Sequence, residues 1–209
     1  MCNLQLKILN KKRIVRGWLF VCLALSALQP AVAENELQHA ALGVDFGIWK
    51  PSSLDSYPSQ PFKNVDGAAP YLGAFFSTPL FHSQALRLSF MQWQQKNLEA
   101  VNLSSVTLRH LALDVKYFVL PQYNISPYAC FGTAAIWSRE QPQNAEGANI
   151  PLDRAGWGFD VGAGIDFVLQ KSWALALEYQ YVYAVFARRV GMTENYSGPK
   201  FTLKFMVLF

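Results

Sequence analysis

Histidine, cysteine and long apolar runs are scarce in this 209-residue chain. Its three histidines are His39, His82 and His110, and its three cysteines are Cys2, Cys22 and Cys130. No pair of histidines has metal-ligand spacing, and no alternating Asp/Asn run with glycine makes a calcium loop. Gly158, Gly162 and Gly164 have a strand's spacing, so they read as providers of space and not as a phosphate-binding loop. No cofactor, metal or catalytic residue is assigned on these grounds. The longest apolar run, Trp18 to Leu28, has eleven residues, whereas a membrane-crossing helix needs about 20. Helical periodicity of useful length is also missing from residues 34–209.

What precedes and follows that short run gives it a meaning. Residues 1–33 carry Lys7, Lys11, Lys12, Arg13 and Arg16 with no acid, then the apolar run, then Ala31-Val32-Ala33. This is the pattern of a secretory signal peptide cleaved after Ala33, leaving 34–209 as one domain. Cleavage removes five of the 18 Lys+Arg, so 13 remain against 14 Asp+Glu and the mature charge is about −1. The basic isoelectric point thus belongs largely to the leader, and no basic face remains for nucleic acid. Cys2 and Cys22 leave as well, and neither follows a small-residue lipidation triplet. Cys130 alone excludes both an intramolecular disulfide and a metal site of paired cysteines.

Strand-period alternation is abundant. In the last nine residues Phe201, Leu203, Phe205, Val207 and Phe209 share one face, while Thr202 and Lys204 share the other with Lys200. Similar runs predict strands near 40–49, 68–78, 84–94, 104–118, 127–138, 156–168, 172–186 and 199–209, which makes eight. The connections 50–67, 95–103, 139–155 and 187–198 are long and polar, and those between them are short. Pro51, Pro58, Pro61, Pro142 and Pro151 fall in the long ones. That asymmetry predicts an all-β fold: an eight-stranded antiparallel up-and-down transmembrane barrel with four surface loops and both termini periplasmic.

Facing follows where alternation is clean. Trp157, Phe159, Val161, Ala163, Ile165 and Phe167 are expected on lipid, with Leu111, Leu113 and Val115 on strand 104–118 and Leu175, Leu177 and Tyr179 on strand 172–186. The reasoning is that a thin barrel cannot hide such a set inside. Strands 68–78 and 84–94 alternate too weakly to assign. The lumen is then expected to hold a polar network of Arg87, Asp114, Lys116, Asp160, Asp166, Glu178 and Lys204, joined by Asp45 and Lys200. A loop centred near residue 192 sets Glu178 close to opposite Lys204. Interfacial aromatics form two girdles, Tyr117 and Trp173 near inner turns and Trp137, Trp157, Tyr181 and Tyr183 near outer loops. Arg109 shares the outward face but reaches the outer interface, where a cation costs little.

A soluble barrel around an apolar ligand is the competing architecture, and Gly47-Ile48-Trp49 is similar to the Gly-x-Trp of lipocalins. Ionisable residues on the small-residue face, absent cysteine pairs and the terminal Phe209 weigh against it. Val115-Lys116-Tyr117-Phe118, Pro127-Tyr128 with Gly132, Gly162-Ala163-Gly164-Ile165-Asp166 and terminal Phe209 resemble the small outer-membrane β-barrel family of OmpA, OmpX and opacity-protein type. The resemblance spans about 40–209 and departs from the family where Leu203 or Lys204 stands in place of a common glycine. It implies outer-membrane localisation, with Phe201, Phe205 and Phe209 as an insertion signal read by the barrel-assembly machinery. It also implies a choice among surface adhesion, a narrow pore, a structural role and lipid modification.

Residues decide among these only in part. His82-Ser83 lies in a periplasmic turn, and His110 is expected inside the wall near Arg87 and Asp114. Neither meets a nucleophile, base and orienting acid together. The expectation is a non-enzymatic, monomeric barrel with a side-chain-filled lumen and four extracellular loops. Its expected partners are outer-membrane lipid and lipopolysaccharide, whose phosphates could meet Arg154 or the Arg188-Arg189 pair in the loops. A surface ligand is not legible.

Overall fold

The computed structural model describes residues 39–54, 68–81, 83–98, 103–121, 123–142, 152–191 and 193–209. The expected leader, most of the first loop including Pro58 and Pro61, Pro151 and His82 lie outside the described residues. Strands run β1 (Ala41–Trp49), β2 (Ala69–Phe81), β3 (Gln84–Leu98), β4 (Leu103–Phe118), β5 (Ile125–Pro142), β6 (Leu152–Gln170), β7 (Trp173–Val190), β8 (Thr193–Asn195) and β9 (Gly198–Leu208). One helical turn, Ser52–Leu54, follows β1.

All pairings are antiparallel, and the sheet closes because β1 pairs with both β2 and β9 while β7 pairs with both β6 and β9. The eight long strands form the wall, and the three-residue β8 is a spur on β7 beyond a turn at Gly191, whose φ of 56° suits glycine. Ala40 and Phe209 exchange backbone hydrogen bonds at 3.1 and 2.9 Å, bringing both ends of the sheet to the same rim. Closure satisfies the backbone that hydrocarbon would otherwise leave bare.

The strands are longer than alternation suggests. β3 and β4 leave only 99–102 between them, and 139–142, 152–155 and 187–190 are strand where loop is expected. Above the lipid the outer face turns polar while Val106, Leu108 and Val190 stay buried inside, so the ladder continues where the lipid-against-lumen pattern that reports it has stopped. Asp153, Arg154, Arg188 and Arg189 therefore stand on strands, not in loops.

Outward on β6 and β7 are Trp157, Phe159, Val161, Ile165, Leu177, Tyr179, Tyr181 and Tyr183, all exposed. On the strands left unassigned, Leu72, Phe76, Leu88 and Phe90 face out, whereas Tyr71, Phe75, Arg87, Met91 and Trp93 face in. Aromatics on both faces of one strand erase the period-two signal. The premise that large apolar groups cannot sit inside also fails at the extracellular end. There Trp49, Trp93, Leu108, Ile136, Phe186 and Tyr196 form one buried cluster with Leu54 of the helical turn. Smaller clusters around Phe75 and Met206 and around Phe118 and Tyr128 fill the periplasmic end.

Candidate functional site

Between those apolar layers lies a belt of buried charge. Arg87, Asp114, Lys116, Asp160, Asp166, Glu178 and Lys204 are all buried, as are Asp45, His110 and Lys200. Period-two geometry sends each to the inner face of its strand, and small neighbours make the room. A Cβ at Gly164 would lie 2.5 Å from the Tyr128 ring, and one at Gly162 would lie 2.6 Å from Gln180 Cγ, so both side chains need a glycine opposite.

Glu178 on β7 is the hub. Its Oε2 accepts from Arg87 Nη1 at 2.6 Å and from the Tyr128 hydroxyl at 2.7 Å, while Oε1 stands 3.2 Å from Lys204 Nζ. Arg87 on β3 donates through Nε and Nη2 to Asp114 Oδ2 on β4, at 3.0 and 2.9 Å. Lys204 on β9 donates to Asp45 Oδ2 on β1 at 3.4 Å. Lys116 donates to Asp166 Oδ2 at 2.8 Å and lies over the Tyr128 ring, 4.0 Å from its centroid. Through Tyr128 the two ion clusters become continuous, and the belt ties β1, β3, β4, β5, β6, β7 and β9 together across the lumen.

Asp160 is met by His110: its Oδ2 lies 3.3 Å from His110 Nε2 in an ion-pair approach. His110, buried inside the wall as expected, meets Asp160 and the edge of Trp49, with ring centroids 6.5 Å apart. The β7–β9 register also differs. It pairs Trp173 with Val207 and Glu178 with Thr202, so its centre is near 190 and Lys204 reaches Glu178 diagonally.

The belt is roofed by aromatics. Trp49 and Trp93 meet edge to face with centroids 5.6 Å apart, and Trp93 meets Tyr196 at 6.1 Å. Tyr196 donates to the Val190 carbonyl at 2.7 Å, and burial pushes its hydroxyl pKa up. Ser52 N donates to Ser197 O at 2.8 Å, Lys50 N to Pro199 O at 2.9 Å, and the Ser53 hydroxyl to Asn195 O, tying the first loop's base to the β8–β9 corner. Sequence reasoning missed this roof, although Trp49 has the parity of Asp45 and Trp93 that of Arg87. Tyr128 and Tyr71, which bonds Thr202, were missed as lumen groups for the same reason.

On the outer wall Trp137, Trp157, Tyr181 and Tyr183 sit toward the extracellular half, and Tyr117 and Trp173 beside the periplasmic turns. Trp157 stacks near Tyr183 at 5.8 Å, and Trp173 near Phe205 at 4.9 Å. Phe201, Phe205 and Phe209 all face outward and exposed. Among the described residues no group of three His, Cys, Asp or Glu is arranged to hold a metal ion.

An apolar outer wall, a closed ladder and a lumen packed with side chains define a transmembrane β-barrel. The chain belongs to the family described as the outer membrane protein beta-barrel domain, whose model matches residues 19–209, and it is a protein of the bacterial outer membrane. No curated protein matches it. Among solved structures it is similar to Neisserial surface protein A, with a TM-score of 0.54, 12% identity, 81% of this chain and 95% of that one covered. It is also similar to the N-terminal barrel of OprF from Pseudomonas aeruginosa, with a TM-score of 0.53, 13% identity and coverage of 82% and 98%. OprG from Pseudomonas aeruginosa gives 0.54, 14% identity and coverage of 81% and 95%. At such identities these likenesses concern the fold alone.

Proposed function

We propose that this protein is a sealed, non-enzymatic barrel that carries its extracellular segments at the cell surface and conducts no solute. The carrying observation is the lumen: a cross-linked belt centred on Glu178 beneath a roof of Trp49, Trp93 and Tyr196. An eight-strand interior is only wide enough for side chains to fill. Each solute passing through would break several buried ion pairs, at about 3–5 kcal/mol for each charge stranded.

The narrow-pore reading draws on one observation. Among the described residues six buried acids, Asp45, Asp114, Glu140, Asp160, Asp166 and Glu178, face four buried bases, Arg87, Lys116, Lys200 and Lys204, an excess that would favour cations. Swelling of proteoliposomes in small sugars and amino acids separates the two. The sealed barrel gives the rate of empty liposomes, and a pore gives faster swelling that falls with solute size.

A further inference from the structure

The extracellular edge of the wall carries two arginines on the face that looks into lipid. Across β3, β4, β5 and β6 the registers align Gln92, Arg109, Trp137 and Ala155 in one outward row. The next outward row toward the extracellular side is Gln94, Thr107, Arg139 and Asp153. The row immediately below, Phe90, Leu111, Ala135 and Trp157, is wholly apolar. The boundary between hydrocarbon and headgroup therefore falls between Leu111 and Arg109. Arg109 stands eight residues from Tyr117 of the inner girdle, about 20 Å of height at ~3.3 Å per residue and ~40° of tilt, close to the ~25 Å expected of an apolar band.

Among the described residues neither guanidinium group has a close ionic partner. Arg109 is exposed, and its side-chain acceptor among the described residues is the neutral Gln92 Oε1, at a long 3.4 Å. Arg139 approaches Asp153 at 3.8 Å with both side chains more than half exposed, 55% and 72%, a geometry worth little in water. Arg109 lies directly opposite Trp137, and Arg139 is two residues further along the same strand as Trp137, so the three are neighbours on the outer wall. Arg154, on the next strand, turns the other way and meets Glu140 Oε1 at 3.4 Å.

We propose that Arg109 and Arg139, with Gln92 and Trp137, form a binding site on the outer wall for the phosphate of an outer-leaflet membrane lipid, a phosphorylated glycolipid such as lipid A. A guanidinium fork matches phosphate oxygens in a bidentate manner. Phe90 and Leu111, immediately below, offer acyl chains an apolar bed in continuity with that headgroup. The site is on the lipid side of the wall, so it works whether the lumen is sealed or open.

The test is retention of lipid by the purified full-length barrel, read by native mass spectrometry in detergent. Wild-type protein is compared with bisphosphorylated lipid A, with the same lipid stripped of phosphate, and with lipid A plus millimolar inorganic phosphate. Phosphorylated lipid should be retained, the stripped lipid retained at least tenfold less, and free phosphate should not compete. Arg109→Gln and Arg139→Gln should each lower retention roughly tenfold, as expected of one lost charge-assisted contact. Arg154→Gln should leave it unchanged. Equal retention of both lipids, displacement by free phosphate alone, or an equal loss in Arg154→Gln would each overturn the proposal. The wild-type comparison stands even if a variant fails to fold.

Discussion

Glu178 and Lys204 form a 3.2 Å ion pair although the backbone sets Glu178 opposite Thr202 and Lys204 opposite Ala176. The lysine spans the diagonal because Ala176 leaves space beside it and because Asp45 holds its ammonium from the other flank. The pair is one edge of a larger network. Its removal therefore has consequences that a lone pair would not have.

Lys204→Met should destabilise by about 3–5 kcal/mol, since it takes from Asp45 the ammonium it pairs with in a confined interior and leaves Glu178 with Arg87 and Tyr128 alone. Adding Glu178→Gln should recover part of that loss, and adding Asp45→Asn more. Unfolding midpoints in detergent measure it. Simple additivity of the single effects would show that these residues are uncoupled.

The lipid wall predicts a dependence on depth. Val161→Arg, at mid-height on β6, should cost about 2–4 kcal/mol, whereas Ala155→Arg, beside Trp137 near the outer interface, should cost about 0–1 kcal/mol. Equal costs at both positions would contradict the placement of the outer boundary.

Gly164 tests the packing of the belt. Gly164→Ala puts a methyl group 2.5 Å from the Tyr128 hydroxyl, which overpacks the lumen and should cost about 1–3 kcal/mol. It also pushes Tyr128 away from Glu178. Tyr128→Phe in the same chain should restore part of the stability by removing the crowded oxygen, whereas it should destabilise the wild type. The sign reversal is read from paired thermal melts.

Much of this architecture was legible because lipid and lumen impose opposite demands on successive residues. From Trp157 to Phe167 every second side chain meets hydrocarbon, so facing and even the buried acids Asp160 and Asp166 follow from parity. The pattern fails where both faces are alike. Trp93 inside and Phe90 outside blur β3, and Arg139 and Glu140 blur the top of β5, where both faces carry charge although Glu140 is buried. The charged residues of the belt could be named for the same reason that their partners could not. Parity gives the side of the wall, but the pairing of Asp160 with His110, or of Glu178 with Tyr128, depends on how far each chain reaches across a lumen whose width sequence does not encode. The aromatic roof escaped because tryptophan reads as a lipid-facing residue unless its neighbours' parity is carried through to it.

The claim that the lumen is sealed is tested most directly by single-channel recording of the purified barrel in a planar bilayer, wild type beside the double variant Trp49→Ala with Trp93→Ala. The filled interior predicts a silent wild type, and it predicts that opening the roof alone leaves the membrane tight because the Arg87, Asp114, Glu178 and Lys204 belt persists beneath it. Adding Arg87→Ala should then produce discrete conductance steps. Steady, discrete steps from the wild-type protein would contradict the account and establish the barrel as a pore.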